Sequence, residues 1–274
     1  MTTAAPIPRT PAARLRWAAA DAWTITQRAL FHWVRQPGQV IAGLMFMIML
    51  VVLFGYLFGG AMAVPGGGNY LEFLMPGMFV MTMAFGIGET MVAVTTDADK
   101  GITDRFRSLP MARSAVVVGR SAADMLNSTL GLVVMMACGL VVGWRWHGSF
   151  GDVLLAVALL LWLRFAVLWA GIYLGLIIHS PGATAAVQTL LFPLTMVTNT
   201  FAAPDTMPAW LGTIAEWNPL SSTVYAIREL FGNPGWGGDS WVAQHAMMLA
   251  VAWPLLILAV FLPLSVRRYR LLSR

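Results

Sequence analysis

A long run without any charged residue, between Arg35 and Glu72, constrains this chain more than any other feature of its sequence. A transmembrane helix needs about 20 predominantly apolar residues to cross about 30 Å of hydrocarbon. The run is long enough for one such helix, which we place near residues 38–60. The whole chain is 58% hydrophobic and only 11% charged, a composition outside the range of soluble domains. Most of the chain is therefore expected to lie in lipid.

Further apolar runs raise the predicted number of transmembrane helices to six. Backbone polar groups in lipid must be satisfied within the protein, and the short alternating segments of a β-barrel do not occur, so we expect helices. The predicted fold class is an all-α integral membrane protein with a transmembrane domain over residues 38–265. The additional runs lie near residues 73–96, 114–142, 153–178, 183–203 and 241–265.

The distribution of arginine and lysine predicts the orientation of the chain. Cytoplasmic flanks of transmembrane helices collect positive charge. Basic residues are frequent before the first run, after the second and in the tail at 266–274, whereas Arg145 and Arg228 are the basic residues predicted on the opposite side. We therefore expect a multi-pass protein of the plasma (inner) membrane with both termini in the cytoplasm. Anionic lipid of the inner leaflet is a sufficient partner for the net charge of +5, without nucleic acid.

Residues 1–37 are predicted to form a cytoplasmic N-terminus that contains an interfacial amphipathic helix. Arg14, Asp21, Arg28 and Arg35 recur every seven residues, which keeps them near one helical stripe. Tryptophans in the same segment favour the headgroup boundary. A frayed basic tail is the alternative interpretation.

The loop at 97–113 is predicted to contain a short cytoplasmic helix. Ile102, Phe106 and Leu109 follow each other at helical spacing and form one apolar face, while Gly101 permits a turn and Pro110 ends the helix. Such a face rests on lipid or fills a groove on another protein. The spacing alone leaves both possibilities open.

A second irregular segment, at 204–240, precedes the last apolar run. Its apolar portions are short, are broken by Pro208 and Pro219, and contain charged residues such as Arg228. We expect two short re-entrant helices at the outer membrane boundary, with tryptophans such as Trp210 at headgroup level. The segment is a candidate outer lid, and an ordinary outer loop is the alternative.

Ionisable residues inside the predicted spans are candidates for function or for structural ties. Counting about 1.5 Å per residue from the span ends places Glu89, Asp124 and Arg164 at similar depth. We hypothesise that Arg164 pairs with Glu89 or Asp124, either to fix helix packing or to line a substrate pathway.

Two motifs of the sequence resemble those of ABC-2 type permeases, most closely the actinobacterial daunorubicin-resistance branch. The stretch KGITDRFRSLPMARSAVVVGR is similar to the family's cytoplasmic loop, and PDTMPAWLGTIAEWNPLSSTVYAIREL is similar to its segment before the last span. The resemblance extends over about residues 20–270. The matching positions that we single out are Gly101, Arg105, Phe106, Leu109, Pro110, Pro208, Trp210, Asn218, Pro219 and Arg228.

This resemblance implies a permease dimer, formed by two copies or by paralogues, with two separate ABC ATPase subunits. The loop helix then acts as the coupling helix, with Gly101, Ile102, Arg105, Phe106, Leu109 and Pro110 as ATPase-coupling residues. It further implies export of a lipophilic compound, such as a drug, an antibiotic or a lipid.

No nucleotide site is expected in this chain. A P-loop requires a lysine preceded by glycine, but the chain contains one lysine, Lys100, and it follows Asp99. We therefore expect no catalytic site and no cofactor here, with ATP and Mg²⁺ bound by the partner ATPase. A Mg²⁺-dependent transferase that uses Asp97 and Asp99 is one alternative. Others are a standalone carrier or channel driven by an ion gradient, and a structural membrane protein without flux.

Overall fold

The computed structural model describes residues 37–61, 64, 67–99, 113–178, 180–235 and 238–271, together with isolated positions between 16 and 31. Within these residues the regular elements are helical. They are α1 (Pro37–Val52, continued by a π-helical turn at Leu53–Leu57), α2 (Tyr70–Asp99), α3 (Arg113–Val142), α4 (Phe150–Ile177), α5 (Pro181–Met196), α6 (Ala209–Trp217), α7 (Pro219–Phe231), α8 (Trp241–Gln244) and α9 (Ala246–Leu271).

Each of the six apolar runs contains a helix. Among the described residues, four helices are long and apolar enough to cross a membrane: α2, Val118–Val142 of α3, α4, and Ala246–Tyr269 of α9. Shorter apolar helices occupy Ile41–Leu57 and Gly182–Met196. The all-helical class is confirmed for the described residues, while the count of six spans stays a prediction.

The fifth predicted span, 183–203, is wrong at its C-terminal end, because α5 stops at Met196. The following residues Thr198, Asn199 and Thr200 form a buried turn. Their side chains bond to nearby groups and compete with continued helix, as in the hydrogen bond from Thr198 Oγ1 to Thr200 Oγ1 (2.9 Å). Asn218 satisfies free carbonyls at the end of α5, donating to those of Leu194 (2.9 Å) and Val197 (2.8 Å).

The last predicted span, 241–265, also differs from the structure. A break at His245 separates α8 from α9, and α9 continues to Leu271. The first part of the predicted basic tail at 266–274 is therefore a helical extension of the span. Long arginine side chains at such a helix end reach the interface while their stems stay against apolar surface.

Helix α4 is the centre of the fold and packs against α2 and α9. Two glycines allow its backbone to approach α2 closely. A Cβ atom at Gly171 would lie 2.7 Å from the carbonyl oxygen of Ile87, and one at Gly175 would lie 2.6 Å from Cβ of Val94. Small residues at such positions permit tight helix contacts in membranes. Gly171 and Gly175 thus define a glycine seam between α2 and α4.

An aromatic cluster fixes the end of the fold where α7 meets the loop between α3 and α4. Trp144 is fully buried, and its ring meets those of Phe79 and Phe231 edge to face at 5.0 and 5.1 Å between centroids. Its indole N–H donates to Asn233 Oδ1 (2.8 Å). Gly232, with a φ of 66°, ends α7 in the left-handed conformation that glycine adopts readily.

Candidate functional site

Arg164 lies in the interior of the fold, where α4 packs against α2 and α3. The side chain is only 1% exposed, and its hydrogen bonds go to hydroxyl groups. Its Nε donates to Ser128 Oγ (2.6 Å) and its Nη2 donates to Thr90 Oγ1 (2.9 Å). The Thr90 hydroxyl in turn donates to Asp124 Oδ2 (3.1 Å). We call this set the buried network; its members are Arg164, Thr90, Ser128 and Asp124.

The direct ion pair predicted for Arg164 is not formed. In the described part of the chain no ion pair joins it to Glu89 or Asp124, although both carboxylates remain within electrostatic reach. The reason is the place of the guanidinium, which lies over Gly86, where a Cβ would be 2.6 Å from Arg164 Cζ. From there it faces Thr90, one helical turn along α2 from Gly86. The roles of Glu89, Asp124 and Arg164 in packing or in a pathway stay predictions.

Glu89 is separate from this network, although it is the sequence neighbour of Thr90. Its side chain is exposed and faces α1, since a Cβ at Gly43 would lie 3.2 Å from Glu89 Oε1. Among the described residues no hydrogen bond or ion pair of Glu89 occurs. The position of this carboxylate on a spanning helix makes it a candidate for contact with a ligand.

Arg228, on α7, is a second fully buried arginine and lies in a different environment. Its Nε donates to the carbonyl of Phe73 (3.0 Å), and its Nη2 donates to the carbonyls of Asn199 (2.9 Å) and Thr200 (3.2 Å). The guanidinium also lies over the Phe73 ring, 3.8 Å from its centroid, a favourable cation–π arrangement. Burial lowers the pKa of Arg228 to about 9, which leaves it charged at neutral pH.

The remaining candidates of the 204–240 segment lie around α6 and α7. Pro208 precedes α6, and Trp210 in its first turn is 67% exposed. Asn218 separates the two helices and accepts a hydrogen bond from the backbone N–H of Leu220, while Pro219 begins α7. The structure therefore brings Asn218 and Arg228 onto the turn after α5, and it leaves Trp210 on the surface.

At the opposite end of α2, Asp97 pairs with Arg120 of α3. This contact gives the Asp97 carboxylate a structural role between α2 and α3. Thr26 donates to the carbonyl of Gly119 (2.9 Å), which brings the N-terminal segment to the same end of α3. No cluster of three or more metal-binding side chains occurs among the described residues.

The proposed coupling residues belong to a part of the chain that the structure does not describe. Gly101, Ile102, Arg105, Phe106, Leu109 and Pro110 all lie outside the described residues. Their role stays a prediction from sequence and resemblance.

The sequence matches the family described as ABC-2 type transporter over residues 20–231, most of the chain. The buried arginines, the short helices α6 and α7 and the spanning helices α2 to α4 all fall within this range. The chain belongs to the ABC-2 type transporter family.

Relatives of this ABC-2 chain include permeases of drug-resistance transporters. It is 34% identical to a daunorubicin resistance ABC transporter permease protein, DrrB1, of Streptomyces coeruleorubidus, over 89% of this chain and 83% of the relative. It is 23% identical to a probable doxorubicin resistance ABC transporter permease protein, DrrC, of Mycobacterium tuberculosis, over 89% and 87%. A putative transport permease, ycf38, of Cyanophora paradoxa is 24% identical over 88% and 84%.

Sequence reasoning on this ABC-2 chain missed the polar residues that hold both arginines. Thr90, Ser128, Asn199 and Thr200 are uncharged residues within predicted apolar runs and do not stand out by charge. The sequence did contain a signal for Thr90 and Ser128. Gly86 lies four residues before Thr90, and Asp124 lies four residues before Ser128, so each pair shares a helix face. No comparable local pattern marks Asn199 and Thr200.

Proposed function

We propose that this chain is the transmembrane permease subunit of an ABC exporter that moves a lipophilic compound out of the cell. The observation that carries this proposal is the family match over residues 20–231, in a chain whose only lysine cannot belong to a P-loop. Energy must then come from a separate ATPase chain, since a nucleotide-driven transporter requires a phosphate-binding loop.

In this proposal six helices cross the plasma membrane and both termini are cytoplasmic. The shorter helices α1 and α5 complete the set of six, and the N-terminal segment lies in the inner interface. Helices α6 and α7 form a re-entrant lid at the outer boundary. The exposed Trp210 and Trp217 on α6 support this placement, because tryptophan favours the membrane interface.

The cytoplasmic loop at 97–113 is the proposed contact with the ATPase. Phe106 and its apolar neighbours fill a groove on the ATPase, and Arg105 contributes a charged contact at its rim. Two ATPase subunits act on two permease chains, either two copies or a copy and a paralogue. A switch from 1:99 to 99:1 between inward and outward states needs about 5.5 kcal/mol of differential binding, so this contact has to be firm.

The names of the relatives support the substrate class that we propose. Two of the relatives named above are permeases of daunorubicin or doxorubicin resistance. We propose a lipophilic substrate of drug or antibiotic type, which enters from the lipid or the cytoplasmic side.

Transport by inverted membrane vesicles tests the proposal. The vesicles contain this chain and a candidate ATPase that has a P-loop, and doxorubicin fluorescence reports accumulation. We expect accumulation that requires ATP and both chains. Accumulation driven by an ion gradient without ATP would contradict the proposal and favour a carrier.

Variants of the coupling loop extend this test. Phe106→Ala and Arg105→Glu should lower transport at least tenfold, about 1.4 kcal/mol of coupling, while ATP hydrolysis and membrane insertion persist. Arg274→Glu, a charge reversal at the predicted cytoplasmic tail, is the matched control and should transport normally. Normal transport by both loop variants would contradict the assigned role of the loop.

A further inference from the structure

Three phenylalanine rings from three different helices meet in one layer of the membrane domain. Phe46 of α1 lies 6.0 Å from Phe85 of α2 and 6.5 Å from Phe192 of α5, and Phe85 lies 6.0 Å from Phe192, all measured between ring centroids. Phe192 is 41% exposed, and the other two rings are half-buried. The layer is therefore open on one side.

A polar layer, formed by Glu89 of α2 and Gln188 of α5, lies one helical turn from these rings. Glu89 follows Phe85 by four residues, and Gln188 precedes Phe192 by four, so each shares a helix face with its ring. Gly43 occupies the equivalent level of α1, because a Cβ there would lie 3.2 Å from Glu89 Oε1. A Cβ at Gly88 would similarly lie 3.3 Å from Gln188 Nε2. The two layers are thus in register.

The carboxylate in the polar layer is not neutralised by a direct partner. Glu89 is exposed, and in the described part of the chain it makes no hydrogen bond and no ion pair. Arg164 donates to Thr90 and Ser128 and forms no ion pair with Glu89 among the described residues. A carboxylate on a spanning helix is expensive unless water or a positive group compensates its charge.

We propose that Phe46, Phe85, Phe192 and Glu89 form an aromatic–carboxylate site that binds lipophilic organic cations. The inference rests on the proposed transport function and assigns the substrate class. Aromatic faces attract a cation within about 6 Å of the ring centroid, and the Glu89 carboxylate supplies the opposite charge. The Gln188 amide adds a hydrogen-bonding group at the rim. Glycine at position 43 lets the Glu89 carboxylate lie close against α1, since a Cβ there would be 3.2 Å from Glu89 Oε1.

Binding to the full-length chain in nanodiscs of zwitterionic lipid tests the site. The probes are tetraphenylphosphonium and tetraphenylborate, which have nearly the same shape and opposite charge, and empty nanodiscs give the baseline. We expect saturable binding of the phosphonium and at least tenfold weaker binding of the borate. Equal affinity for the two ions would overturn the proposal.

Variants assign the binding to the four residues. Glu89→Gln keeps the size of the side chain and should weaken phosphonium binding about tenfold, the loss expected when one strong charge contact of a desolvated cation is removed. Glu89→Asp should retain part of the affinity. The matched control Asp99→Asn removes an exposed carboxylate at the end of the same helix and should bind normally. Unchanged binding by Glu89→Gln, or an equal loss with Asp99→Asn, would overturn the site.

A second variant keeps the test decisive should the Glu89 variants fail to fold. Phe192→Leu changes the most exposed ring and should weaken phosphonium binding about threefold while leaving the residual borate binding unaltered. Equal effects on both ions would indicate an unspecific apolar surface and contradict the proposal.

The site and the transport function fail in distinguishable ways, because binding is measured without ATP and without the ATPase. If ATP-driven export is observed and Glu89→Gln binds phosphonium as tightly as the parent, the site is overturned and the proposed function stands. Charge-selective binding in a chain that never exports with any ATPase overturns the proposed function and leaves the site intact.

Discussion

The two buried arginines of this chain are held by different kinds of partner. Arg228 donates to backbone carbonyls of Phe73, Asn199 and Thr200 and lies on the Phe73 ring. Arg164 donates to the side-chain hydroxyls of Ser128 and Thr90. Backbone carbonyls are fixed by the fold, whereas hydroxyls rotate and can exchange partners.

This difference indicates different tasks for the two regions. The backbone contacts of Arg228 join α7, α2 and the turn after α5, so the side chain acts as a structural tie. The hydroxyl contacts of Arg164 form a network that also contains Asp124 and lies next to the accessible Glu89. Rearrangement of such a network requires only side-chain rotation.

The largest loss of stability is expected for Arg228→Leu. The change leaves three buried carbonyls without their donor, and each costs about 1–3 kcal/mol, so the free energy of unfolding should fall by about 3 kcal/mol or more. This free energy is measured by unfolding with sodium dodecyl sulfate in mixed micelles. Arg228→Lys keeps the charge but not the fork of donors and should recover a part. A loss below about 1 kcal/mol would contradict the structural tie.

Alanine substitution of the glycines that face the two regions should give the same ranking, with the larger loss of stability on the Arg228 side. A Cβ at Gly77 would overlap Thr200, a β-branched residue in the buried turn, so Gly77→Ala should destabilise by about 2 kcal/mol. A Cβ at Gly86 would lie 2.6 Å from Cζ of the long Arg164 side chain, which can shift by rotation about its own bonds, and alanine favours the helix, so Gly86→Ala should cost less than Gly77→Ala. Thermal unfolding of the two variants in one detergent compares them, and the reverse order would contradict the comparison.

A double-mutant cycle measures the bridged contact between Arg164 and Asp124. Arg164→Met and Asp124→Asn should be coupled by about 1 kcal/mol, the size of polar contacts between membrane helices. Thr90→Val should reduce this coupling, because the threonine hydroxyl links the two side chains. Additive single effects would show that the network does not act as a unit.

The smallest stability effect is expected for Glu89→Gln. The side chain is exposed and makes no hydrogen bond in the described part of the chain, so the free energy of unfolding should change by less than about 0.5 kcal/mol. Loss of ligand binding with unchanged stability would separate Glu89 from the buried network. A loss of several kcal/mol would place it within that network instead.

The sequence was sufficient to locate the long helices and to select the ionisable residues inside them. Hydropathy is a property of contiguous residues, so α2, α3 and α4 begin and end within three residues of their predicted limits. Met75, Met78 and Met81, which repeat at near-helical spacing on α2, are fully buried in the core.

Features that depend on contacts distant in sequence could not be predicted in this way. The end of α5 at Met196 is stabilised by Asn218, which reaches back to Leu194 across 24 residues. The partner of Arg164 depends on the rotation of α2, which turns Thr90 toward α4 and Glu89 toward α1. Hydropathy and charge spacing contain no information on that rotation.

The glycine seam between α2 and α4 has a mechanical consequence. Main chains that touch at Gly171 and Gly175 have no space to slide past each other, so the two helices should move as one rigid body. A displacement at the end of α2 where Asp97 pairs with Arg120 is then carried along the helix pair, through the level of Glu89, to the aromatic cluster around Phe79. This part of α2 follows Pro76 in the chain, so the pair of helices transmits a push along it without a proline kink.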